Sequence, residues 1–145
     1  MKKVVFVCLG NICRSPMAEF VMKSLTDDYE IESRATSSWE HGNPIHKGTQ
    51  KIFKAHEIPY DSSKTSQQIS KDDFEHFDYV IGMDESNLLD LTRMCPQDQQ
   101  HKLEAFASEG VPDPWYTGDF DETYDRVLTG CQAWLTRLEN EAKNG

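Results

Sequence analysis

The first fifteen residues restrict the possible folds more than any other stretch of the chain. Residues 2–8, "KKVVFVC", carry an unbroken apolar run without polar alternation. A strand covered on one face alternates, whereas a strand buried on both faces does not, so this run predicts a central strand of a parallel sheet. "LGNICRSP" follows at once. Gly10 and Asn11 tolerate positive φ, and Ser15 with Pro16 reads as an N-cap and first helical position. Met17, Phe20, Val21 and Leu25 then recur on one helical face. A buried strand running through a short loop into an amphipathic helix demands a crossover to a parallel neighbour.

The remainder repeats that alternation. "YEIESRATSS" and "DYVIGM" read as further strands and "HKLEAFA" as a fourth. The helices are "HKGTQKIFKAHE", a short capped "SKDDFEHF", "DESNLLDLTRM" capped by Asp84, and a final helix. On the last, Tyr124, Val127, Leu128, Cys131, Trp134, Leu135 and Leu138 form one stripe. At 145 residues the expectation is a single α/β domain over 1–145. Its architecture is a three-layer sandwich with a four-stranded parallel sheet and helices on both faces. Ligands of such sheets bind beyond the carboxyl ends of the strands, which is where Cys8 falls.

Composition removes several function classes. The formal net charge is −10, with 15 Lys plus Arg scattered among 25 Asp plus Glu. This argues against sequence-independent nucleic-acid binding and against an anionic membrane surface as partner. The apolar opening is shorter than a signal-peptide core and ends in Gly-Asn, so a cytoplasmic location is expected. Cys8, Cys13, Cys95 and Cys131 then read as thiols. No histidine stands at a zinc-ligand spacing from a cysteine pair, and no metal is expected.

Within "CLGNICRS" the residue types converge on one chemistry. Backbone N–H groups of Leu9, Gly10, Asn11, Ile12 and Cys13, with the following helix N-terminus, form a nest for an anion of phosphate size. Arg14 adds a planar fork for two phosphoryl oxygens. Cys8 lies beneath them, and Ser15 is placed to donate to its sulfur. A free thiol has a pKa of about 8.5, and lowering it by ~3 units takes ~4 kcal/mol of differential stabilisation, within reach of aligned amides and a guanidinium. The pattern C-x5-R recurs at Cys131 and Arg137. There it lies within an amphipathic helix without glycine or preceding strand, and Cys131 reads as a core residue. A nucleotide-binding loop is the other phosphate reading, but the chain has no Gly-Lys-Ser/Thr run. Apart from these partners, Cys8 is a buried strand-end thiol and Arg14 a first-turn charge that the helix dipole disfavours.

"VCLGNICRSPMAE" resembles the signature of the low-molecular-weight protein-tyrosine phosphatases, and "DPWY" resembles their acid-loop motif. The likeness continues through "TSSW", "FDYVIGMDESNLLDL" and "DPWYTGDF" to the last helix. It implies metal-independent hydrolysis of protein phosphotyrosine and small aryl phosphates, with inorganic phosphate as product, by a monomer needing no cofactor. It also implies Cys8 as nucleophile, Arg14 as phosphate clamp and Asp113 as general acid. Read alone, Asp113 before Pro114 is equally a turn residue. A phenol of pKa near 10 leaves slowly as a bare anion, so protonation by Asp113 is what the reaction needs. Thiolate and protonated acid together predict a bell-shaped rate profile with its optimum below pH 7.

By the same resemblance Trp39, Trp115 and Tyr116 wall the slot for the substrate ring, although the family often has tyrosine at 115. Asn11 matches the asparagine that holds the loop open, helped by serines such as Ser37. Lys64 stands where many members have a histidine of that network, which leaves loop rigidity to come from elsewhere or to be lower. Asp84 matches a family position, though capping its helix accounts for it. Cys13 implies a reversible Cys8–Cys13 disulfide that shields the nucleophile.

Three neighbouring readings differ at named positions. Arsenate reductases of this fold use further cysteines near the third strand, where "VIGMDESNLLD" has none. Phosphoarginine phosphatases resemble the loop but carry threonine at the position of Ile12. A phosphate-binding module without catalysis needs neither Cys8 nor Asp113.

Overall fold

Strand β1 (Lys3–Cys8) lies inside the sheet, paired in parallel with β2 (Glu30–Ala35) on one side and β3 (Tyr79–Gly82) on the other. β4 (Leu103–Ala105) extends the sheet beyond β3, giving the all-parallel order β2-β1-β3-β4. The computed structural model describes residues 1–144. The other elements are α1 (Arg14–Leu25), α2 (Lys47–Ala55), α3 (Lys71–His76), α4 (Glu85–Met94), α5 (Pro114–Thr117) and α6 (Phe120–Asn144).

The unbroken apolar run has its cause in two cores. Val4, Phe6 and Cys8 face one cluster with Met17, Val21, Phe53, Val127 and Trp134, from α1, α2 and α6. Val5 and Val7 face the other, with Phe74 of α3, Phe77 and Leu91 of α4. Val4, Val5, Phe6 and Val7 are all fully buried, each worth roughly 1.5–3 kcal/mol of transfer free energy. The expected three-layer α/β architecture is the one observed. Among the described residues no helix is long and apolar enough to cross a membrane.

Several local readings change. Ser15 is not the N-cap of α1: the helix begins at Arg14, Cys13 holds the cap position, and no side chain caps it. The Ser15 hydroxyl is instead turned inward to the loop it was expected to terminate. Leu25 is exposed, and α1 is buried on every side from Arg14 to Met22 instead of along one face. Only three residues of "HKLEAFA" pair as strand, because residues 97–102 wind into a 3₁₀ turn before β4. The turn expected at Asp113 winds into a short helix, α5. Asp84 caps α4 as expected, and Ser70 with Asp73 forms a reciprocal capping box on α3.

Candidate active site

The carboxyl end of β1 releases the chain into a loop that closes over Cys8. Asn11 takes the left-handed conformation (φ 55°), while Gly10, expected to share it, does not. Asn11 tolerates that conformation because its short polar side chain bonds locally, and here each polar atom of its amide is used. Nδ2 donates to Ser15 Oγ (2.8 Å) and Ser33 Oγ (3.0 Å), and Oδ1 accepts the Gln67 N–H (3.1 Å). The Asn11 N–H turns back to Cys8 Sγ at 3.3 Å, and Ser15 Oγ lies 3.1 Å from the same sulfur. Outside the loop, Ser37 Oγ donates to the Leu9 carbonyl, Ser66 Oγ to that of Gly10, and the His46 N–H to that of Ile12. With the Leu9, Gly10 and Ile12 carbonyls tied to these donors, Gly10, Ile12, Cys13 and Arg14 keep N–H groups that have no acceptor among the described residues. Those of Cys13 and Arg14 belong to the start of α1, where the dipole adds positive potential.

Lys64 joins this support. Its ammonium reaches Asn11 Oδ1 (3.4 Å) and the Ser33 carbonyl (3.2 Å), with Glu19 Oε1 at 3.9 Å. Burial lowers the Lys64 pKa, opposed by the charge of Glu19. The expectation that rigidity must come from elsewhere or be lower is therefore corrected: lysine itself closes the network from Asn11 through Ser33 to the buried Glu19.

Arg14 is buried, and its guanidinium is held from three sides. Nη1 donates to Asp84 Oδ2 (2.6 Å) and to the Val111 carbonyl (3.0 Å), and Nη2 approaches Asp113 Oδ2 at 3.4 Å. Burial works against its charge, but Cys8, Asp84 and Asp113 outweigh it, so the net shift of its pKa is upward. Asp84 thus does more than the capping assigned to it. One oxygen accepts the Asn87 N–H at 2.7 Å as the helix cap, and the other holds the arginine. Asp113 is divided in the same way: Oδ1 caps α5 through the Trp115 N–H (3.0 Å), leaving Oδ2 toward Arg14. Burial first, then the charge of Cys8, pushes the Cys13 thiol strongly up, so it stays protonated.

Cys8, Gly10, Ile12, Cys13, Arg14, Asp113 and Trp115 line one cavity of about 80 Å³, joined by Glu40. That is roughly the space of two to three waters, the scale of a phosphoryl group. Five expected site residues, Leu9, Asn11, Ser15, Trp39 and Tyr116, lie outside this lining. Ser15 and Asn11 stand behind the loop, and Trp39 and Tyr116 are exposed on 77% and 78% of their surface. Sequence reasoning missed Glu40, the Asp84 pairing and the Val111 carbonyl. No local pattern marks them, because each reaches the site from a separate loop.

The comparisons with known proteins agree with this geometry. A family model described as low molecular weight phosphotyrosine protein phosphatase matches residues 3–144. The chain is 42% identical to a low molecular weight protein-tyrosine-phosphatase, PtpA, of Staphylococcus aureus, covering 98% of this chain and 97% of the relative. Its fold superposes on the crystal structure of SP-PTP, a low molecular weight protein tyrosine phosphatase from Streptococcus pyogenes, with TM-score 0.91 and 59% identity over 95% of this chain and 93% of that one. A drosophila arginine phosphatase aligns with TM-score 0.86 and 32% identity, over 95% and 98%. A full-length match combined with a thiol beneath a ring of free amides, an arginine and an Asp-Pro turn leaves one assignment: this chain belongs to the low molecular weight phosphotyrosine protein phosphatase family.

Proposed function

We propose that the protein hydrolyses phosphotyrosine in proteins and small aryl phosphates through a phosphocysteine intermediate, with Asp113 as general acid. The observation that carries this reading is the convergence of Cys8, Arg14 and Asp113 on one phosphoryl-sized cavity. The phosphoryl oxygens take the free N–H groups of Gly10, Ile12, Cys13 and Arg14 and the Arg14 fork, which sets phosphorus above Cys8 Sγ. The sulfur attacks in line as a thiolate, favoured by the Asn11 N–H and the Ser15 hydroxyl. The P–O bond to the phenol breaks as Asp113 Oδ2 gives its proton to the leaving oxygen. Asp113, now a carboxylate, takes a proton from water, whose oxygen attacks phosphorus and releases inorganic phosphate and Cys8. Most of the acceleration comes from positioning and from donors aimed at developing charge. Trp115, with Trp39 and Tyr116 at the exposed rim, supplies aromatic walls for the substrate ring. Ile12 favours phosphotyrosine over phosphoarginine. Every residue given a role comes from one chain, so a monomer suffices.

The test is kcat/KM for a series of aryl phosphates, which covers the steps through departure of the phenol. Asp113→Asn is expected to lose about 10²–10³-fold with phenyl phosphate, the range of general acid catalysis, and progressively less as the leaving group improves. A uniform loss across the series would remove Asp113 from the proton transfer.

The same site supports reversible oxidation. Peroxide takes the Cys8 thiolate to sulfenic acid, releasing hydroxide, and the Cys13 sulfur displaces water from it to form the disulfide. Both sulfurs line the same cavity. Mild peroxide followed by mass spectrometry is expected to find Cys8 linked to Cys13, with activity restored by thiol. Irreversibly oxidised Cys8 beside free Cys13 would refute the pairing.

A further inference from the structure

The acid turn is tied to the phosphate loop through a residue that the reaction itself does not use. Asp113 Oδ1 holds the Trp115 N–H, so Asp113 and Trp115 form one rigid unit. The Trp115 and His46 rings form a T-shaped pair, with centroids 5.7 Å apart and planes at 81°. At the far end of the same loop Phe120 stacks on His46, at 5.1 Å and 20°. Phe120 fits only because residue 48 is glycine, since a Cβ there would stand 2.4 Å from its ring. His46 is itself pinned to the loop that binds phosphate: its N–H donates to the Ile12 carbonyl (2.9 Å), and its Nδ1 accepts the Gly48 N–H (2.9 Å) as the cap of α2. Accepting at Nδ1 leaves the proton of the neutral ring on Nε2.

We propose that His46 is a positioning residue that registers the acid turn against the phosphate loop. Its ring holds Trp115 and Phe120, and through them sets the place of Asp113 relative to the leaving oxygen. Capping α2 needs no aromatic ring, because asparagine caps equally well. The ring is therefore what this site adds, and a small error in the place of a proton donor is costly. The proposal rests on reading Asp113 as the general acid.

The experiment compares the leaving-group dependence of kcat/KM in wild type, Asp113→Asn, His46→Asn and His46→Phe. His46→Asn keeps the cap and loses the ring, and His46→Phe does the reverse. His46→Asn is expected to lose about tenfold with phenyl phosphate and less than about twofold with p-nitrophenyl phosphate, a far better leaving group. His46→Phe is expected to keep the wild-type slope. A partly unfolded preparation lowers every rate by one factor and leaves the slope unchanged, so the readout does not depend on full folding. A wild-type slope in His46→Asn, or steepening in His46→Phe as large as in His46→Asn, overturns the proposal. If Asp113→Asn itself shows the wild-type slope, the acid assignment fails, and the role of His46 falls with it.

Discussion

Cys8→Ser is expected to reduce turnover of p-nitrophenyl phosphate by roughly 10⁴-fold or more, the scale seen when a covalent nucleophile is removed. The fold should be unaffected. Cys8 is buried against Asn11 and Ser15, and a hydroxyl is slightly smaller than a thiol and bonds the same two partners. What changes is the reactive anion. A thiol with an ordinary pKa of about 8.5 needs only modest help to ionise near neutral pH, whereas a hydroxyl requires far more than the loop supplies. The free amides and Arg14 stay in place, so orthovanadate should still protect the variant against thermal unfolding. Steady-state rates and melting curves with and without vanadate check both halves. Activity within tenfold of wild type would show that sulfur is not the nucleophile.

Arg14→Lys is expected to lower kcat/KM about 10²–10³-fold, comparable to deleting a donor aimed at transition-state charge. The guanidinium spans the site: Nη1 is fixed by Asp84 and the Val111 carbonyl while Nη2 faces the Asp113 side. An ammonium is a single point on a flexible stem, and it cannot both stay with Asp84 and offer a fork to two phosphoryl oxygens. Unlike loss of Asp113, this loss should be the same for good and poor leaving groups, because the arginine binds the transferred group and not the departing one. A loss that shrinks with better leaving groups would place Arg14 in the proton transfer instead of the phosphate clamp. The two slopes, read together, separate charge stabilisation from acid catalysis.

Much of the site was legible in the first fifteen residues because its core is local. Cys8, the loop and Arg14 lie within seven residues, and the double-sided apolar run "VVFV" identifies the strand that delivers them to the carboxyl end of the sheet. The C-x5-R match at Cys131 was separable by its helical surroundings, and Cys131 is in fact fully buried in α6, its thiol pushed strongly up by burial. Ser15 shows the limit of local reading. Ser-Pro before an apolar stripe is a sound capping signal, yet here the hydroxyl is recruited by Cys8 and Asn11, and the helix starts two residues earlier.

Whatever depends on short stretches, namely the alternation of strands and helices, the thiol-loop-arginine unit and the Asp-Pro turn, was determined by the chain's own order of residues. Backbone sterics and the periodicity of burial act over a few positions and leave a readable trace. Only the folded molecule decided that Asp84, 70 residues from Arg14, holds its guanidinium, that Lys64 braces Asn11, and that His46 stands between the phosphate loop and the acid turn. Those side chains come from loops at one end of the sheet, and the parallel crossovers place them together without any spacing in the chain to announce it.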